Sequence, residues 1–96
     1  MKQKIQIIGK VSGLNLIDVQ TKFKLAQNHL EHLGYEVINP MHIVPLGSTW
    51  SEAMRICLRS LHDVDAVAVL PDWTDSRGSH VEYMAASALN LTMLRI

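Results

Sequence analysis

Ninety-six residues, nine basic side chains against nine acidic ones and 48% hydrophobic residues describe one small globular domain, residues 1–96, with no net charge. That length excludes a second domain, that composition excludes disorder, and the charge balance excludes a global basic field for a nucleic-acid polymer or an anionic membrane. No run of 18 apolar residues could span a bilayer, "MKQKIQIIGK" lacks a signal peptide's apolar stretch, and the single Cys57 leaves no intrachain disulfide, so a cytoplasmic protein is expected.

The chain opens with "KIQIIG" (4–9), short, β-branched and closed by a glycine, which reads as a strand. Val19, Phe23, Ala26, Leu30 and Leu33 then recur at helical spacing from Leu16 to Leu33, and Gly34 stops that helix. "YEVINP" (35–40) reads as a second strand and "MHIVPLGS" (41–48) as a loop. Thr49 and Glu52 have capping-box spacing and open a second helix carrying Ala53, Met54, Cys57, Leu58 and Leu61. "DAVAVLP" (65–71) is a nearly continuous apolar run, the mark of a strand buried on both faces. Ser79 is expected to start a third helix reaching Leu89, and "LTMLRI" (91–96) is the last strand.

Strands alternating with helices imply a parallel sheet with crossover helices, and right-handed crossovers leave few topologies. The expected fold is α/β and flavodoxin-like, four parallel strands in the order 2-1-3-4. Ligands in such sheets sit beyond the carboxyl ends of the strands where the strand order reverses. That crevice should lie between strands one and three, lined by "GKVSGLN" (9–15) and "PDWTDSRGSH" (71–80).

Two readings of Glu82 compete. Ser79 and Glu82 have the spacing of a capping box, as Thr49 and Glu52 do, and a cap needs no chemistry. Yet Glu82 opens the helix that leaves the switch-point strand, with Asp72, Asp75, Ser76 and Arg77 beside it. A carboxylate there could attack an electrophilic sugar carbon, as in retaining glycosyl chemistry.

"GKVSGL", "GYEVINP", "TWSEAMRICLRSL", "DVDAVAVLPDW" and "SRGSHVEYMAASALNL", in that order, together resemble a family of small uncharacterised domains. Those domains are related to the nucleoside 2-deoxyribosyltransferases and the deoxynucleoside 5′-monophosphate N-glycosidases. The most specific part is W-x-x-S-x-G-x-x-x-E, from Trp73 to Glu82. The resemblance implies a flavodoxin-like fold, a glutamate nucleophile matched by Glu82, and a deoxyribonucleoside or its monophosphate as small-molecule partner, with no cofactor. It also implies homo-oligomers that complete their sites across an interface. Ser76, six residues before the glutamate, matches a serine that contacts the 5′-phosphate in the nucleotide-cleaving relatives. Two positions depart from the active enzymes: Gln6 stands where they have a tyrosine that holds the glutamate, and Cys57 where they have an aspartate thought to serve the substrate. A thiol is mostly neutral at pH 7 and cannot replace a carboxylate.

The other candidates carry a bland reading beside the functional one. Ser76, Arg77 and Gly78 precede a helix start, where free amides favour a phosphate, or they form a solvated turn. Gly9 and Gly13 would let a ligand approach the backbone, with Lys10 or Ser12 touching a phosphate or sugar. Trp73 either stacks on a base or caps the sheet end. Asp72 or Asp75 could act as a general acid, and Gln6 could donate a hydrogen bond to Glu82. Metal readings fail, because His29 and His32 share a helix face with no further ligands and His42 and His62 sit alone, while His80, in the site loop, is a proton carrier or a plain loop residue. A small, open-edged sheet also predicts a homodimer or higher assembly.

Overall fold

The computed structural model describes residues 1–96. Strand β1 (Lys4–Ile8) leads through a turn into α1 (Leu16–His32), then β2 (Glu36–Ile38), the single turn α2 (Pro40–Ile43) and α3 (Trp50–Ser60). Strand β3 (Ala66–Val69), helix α4 (Arg77–Ala88) and β4 (Thr92–Arg95) follow, with 3-10 turns at Leu61–Asp63 and Pro71–Asp75. All pairings are parallel and the strand order is β2-β1-β3-β4, as the sequence pattern implied.

Strand periodicity divides the core in two. Ile5 and Ile7 of β1, with Ala66 and Ala68 of β3, meet Val19, Phe23, Ala26 and Leu30 of α1. Phe23 is fully buried there, and its truncation to alanine should cost roughly 3–5 kcal/mol. Ile8, Val67 and Val69 point the other way, toward Leu61, Val64 and Ala86. Gln6 shares that second face, opposite Val67 in register, so a fully buried amide faces the layer of α3 and α4. All of β3 is buried, whereas the flanking strands β2 and β4 are only partly covered and end the sheet.

The helix starts follow local capping chemistry. Asn15 caps α1 by accepting from the amides of Ile17 and Asp18, and Gly34, at φ +98°, supplies the left-handed residue beyond its end. Thr49 and Glu52 make both halves of a capping box on α3.

Two expectations need correction. The stretch read as the loop "MHIVPLGS" begins as helix, because Asn39 caps the amide of Met41 and Pro40 fits the first helical position. Helix α4 starts at Arg77 rather than at Ser79. Its cap is Ser76, whose side chain accepts from the amide of Ser79 at 3.1 Å. Ser79 therefore caps nothing, and Glu82 is the sixth helical residue, too far in to close a capping box.

Candidate functional site

A cleft of about 290 Å³ opens beyond the carboxyl end of β1. One wall is the turn after β1, with Gly9, Val11 and Ser12, and another is the start of α4, with Ser76, Gly78, Ser79 and Glu82. Apart from Cys57, the third wall was not read from the sequence. It runs from Pro40 through the β2–α3 segment into α3, and contributes Met41, Val44, Leu46, Trp50, Met54 and Cys57. Five apolar residues in "MHIVPLGS", a segment read as a loop, were the available signal. A larger groove, about 560 Å³, lies along the outside of α1 near Lys22 and Leu25, but it is open. None of the buried polar atoms that lack a partner belongs to its lining, so the smaller cleft is the better site.

Glu82 defines the cleft chemically. Its side chain is 8% exposed, lies in the wall, and has one oxygen, Oε2, without a hydrogen-bond partner. No cation compensates it, since Lys22–Asp72 is the one ion pair in the protein. Burial pushes its pKa up to about 8, so the neutral acid predominates at pH 7. Cys57 lies in the same wall, and burial, then the nearby Glu82, push its thiol up to about 12. That thiol is neither nucleophile nor acid at neutral pH.

Gln6, expected as a possible donor to Glu82, does not donate to it. Gln6 donates its Nε2 to the carbonyl of Cys57 at 3.0 Å, leaving Oε1 buried and unpartnered.

The structure brings Gly9, Ser12, Ser76, Gly78 and Glu82 to the cleft and leaves the other sequence candidates outside its lining. Asp72 braces the backbone instead. It accepts from the amide of Lys10 at 3.1 Å and from the Lys22 ammonium, which also donates to the Lys10 carbonyl at 2.6 Å. Burial raises the Asp72 carboxyl, but the hydrogen bonds from Lys22 and Lys10 and the Lys22 charge outweigh it and hold the pKa low. A carboxylate held ionised has no proton to give as general acid. Asp75 is exposed beside it. Trp73 stacks on Tyr83, centroids 4.3 Å apart at 11°, and packs against the second core, so it caps the sheet end. His80 meets the carbonyl of Thr74 at 2.9 Å, outside the cleft.

The glycines also differ from expectation. Gly9 makes room for protein rather than ligand, because a Cβ there would stand 2.5 Å from Leu70 Cδ1. Gly13 is exposed at φ +81° and serves the turn. Gly78 lets α4 approach α3, since a Cβ would meet Met54 Sδ at 3.0 Å. Arg77 lies over the Trp50 ring at 4.5 Å, at the cleft's edge.

The family model described as a domain of unknown function, DUF4406, matches residues 3–95, nearly the whole chain. No curated protein matches the sequence. No helix is long and apolar enough to cross a membrane.

Proposed function

The chain belongs to the DUF4406 family, and on that premise we propose that it is a nucleoside or deoxynucleotide N-glycosidase, or a 2-deoxyribosyltransferase-like protein, with Glu82 as the reacting group. The observation that carries this reading is the Glu82 carboxyl, buried in the cleft wall with a free oxygen and no capping role. The resemblance of Trp73 to Glu82 to the W-x-x-S-x-G-x-x-x-E pattern supplies the chemistry. The ionised carboxylate forms a bond to the anomeric carbon as the carbon–nitrogen bond breaks. The base leaves with that electron pair and takes a proton from water, and water or a second base then displaces the ester. Because the empty cleft favours the neutral acid, turnover should rise with pH toward about 8.

A 5′-phosphate fits the start of α4. Ser76 already holds the amide of Ser79, which leaves the first-turn amides of Arg77 and Gly78 outside the helix ladder. Deoxynucleoside monophosphates should therefore raise the melting temperature more than their nucleosides, and equal shifts would remove the phosphate. Assembly as a homodimer or higher belongs to the same proposal, because β2 and β4 leave both sheet edges open. Sedimentation at micromolar concentration showing only monomer would overturn it.

The deciding experiment incubates the protein with deoxynucleosides and their monophosphates and measures free base by chromatography. Base release by the wild type and not by Glu82→Gln supports the reading. A second reading, a binding module that lacks the chemistry, is favoured by the neutral Glu82, by Cys57 and by a cleft with no second carboxyl. Ligand-induced thermal stabilisation without base release would select it.

A further inference from the structure

The polar and apolar parts of the cleft wall are segregated, and the segregation specifies which part of a ligand goes where. Free polar side-chain atoms gather at one end. Ser79 Oγ and Glu82 Oε2 are buried without partners on α4, and Ser12 lines the cleft from the turn after β1. The Trp50 indole nitrogen belongs to this end too, 3.5 Å from where a Gly78 Cβ would stand.

Toward α1 and the β2–α3 segment the wall is different. Leu16, Phe23, Met41, Val44 and Leu46 offer no hydrogen-bonding group beyond weak thioether sulfur. The two hydroxyls on that side each make one hydrogen bond to the backbone. Ser48 donates to the Pro45 carbonyl at 2.6 Å, and Thr49 accepts from the amide of Glu52 at 3.1 Å. A ligand group placed here gains from apolar area and loses whatever hydrogen bonds it made to water.

We infer that the cleft takes nucleosides whose base carries an alkyl substituent, the sugar lying against Ser12, Ser79 and Glu82 and the alkylated base against Leu46, Met41 and Val44. This rests on the proposed nucleoside chemistry for its orientation, since the anomeric carbon must meet Glu82. Specificity then comes mainly from shape and apolar burial, because the side-chain hydroxyls at that end, Ser48 and Thr49, are few and each already makes a hydrogen bond to the backbone.

The test is calorimetric titration of the full chain with deoxyuridine, thymidine and 5-ethyl-deoxyuridine, with 2-deoxyribose 5-phosphate and 5-ethyluracil alongside. Affinity should rise about fourfold for each added carbon that the wall buries. Leu46→Ser, a substitution at an exposed loop position, should flatten that rise while the melting temperature stays near that of the wild type. A flat or falling series with deoxyuridine bound overturns the inference and leaves the nucleoside cleft standing. Binding of 5-ethyluracil with rejection of every deoxyribose compound overturns the nucleoside reading and leaves an apolar base subsite. Binding of none of the five overturns both.

Discussion

Helices α3 and α4 open with almost the same letters, Thr-x-x-Glu at 49–52 and Ser-x-x-Glu at 79–82, and use them in opposite ways. In α3 the threonine is the cap and Glu52 closes the box at the exposed first turn. In α4 the cap lies three residues upstream, at Ser76, and Ser79 has become a helical residue. Glu82 then falls in the second turn, on the stripe of Ser79 and Ala86 that packs inward. The same carboxyl is held ionised by hydrogen bonds in one helix and held neutral by burial in the other. Capping-box spacing carries no meaning until the capping residue is known.

The comparison breaks most visibly in activity. Glu82→Gln preserves shape and removes the anionic nucleophile, so base release should fall by orders of magnitude. Wild-type turnover should climb with pH toward about 8 and then level, as the carboxyl ionises. A profile that falls over that range would make Glu82 an acid and overturn the nucleophile.

The next effect is on stability, and its sign is opposite to that of a lost cap. Folding raises the Glu82 pKa from 4.5 to about 8, so between those values the folded protein holds a proton that the unfolded chain has released. Stability therefore falls as pH rises from 4.5 to 8 and is level above it. Glu82→Gln removes that slope. At pH 7 the variant should be more stable than the wild type, by at most on the order of 3 kcal/mol, because the new amide also needs partners. Urea denaturation at several pH values reads the difference. A variant less stable at every pH would make the carboxyl a structural group.

These effects explain what the sequence disclosed and what it concealed. Fold topology was legible because it follows from period and order: β3 reads as buried on both faces, and Val19, Phe23, Ala26 and Leu30 keep one helical stripe. Glu82 was legible as a candidate through the pattern that begins at Trp73. The roles of Trp73, Asp72 and Gly9 were not, since each depends on a partner distant in the chain or set by packing: Tyr83, Lys22 and Leu70 respectively. The third wall of the cleft escaped because apolar residues between two elements carry no period.

Ser76→Ala sharpens the contrast at the level of the cap. It removes the acceptor for the Ser79 amide and should cost about 1 kcal/mol, lowering the melting temperature by roughly 4–8 °C. Thr49→Ala should cost a similar amount in α3. Only the Ser76 change should also weaken binding of a deoxynucleotide, since its helix start faces the proposed phosphate.

The smallest effect belongs to Glu52, and it is the control for everything claimed of Glu82. Glu52 Oε1 accepts from the Thr49 amide at 2.8 Å in full contact with solvent. The Thr49 backbone hydrogen bond, then the Thr49 side chain, lower its pKa from 4.5. Its contribution to stability is thus present above pH 4.5 and lost as pH falls through the lowered value. Glu52→Gln keeps the hydrogen bond and removes the charge that favours a helix start, so a small loss at pH 7 should vanish at a pH well below that lowered value. Thermal melts at those two pH values measure it. Base release and the slope between pH 4.5 and 8 should be those of the wild type, because Glu52 lines no part of the cleft. A Glu52→Gln variant that lost activity or flattened that slope would show that both glutamates act through the stability of their helices, and Glu82 would then have no special chemistry.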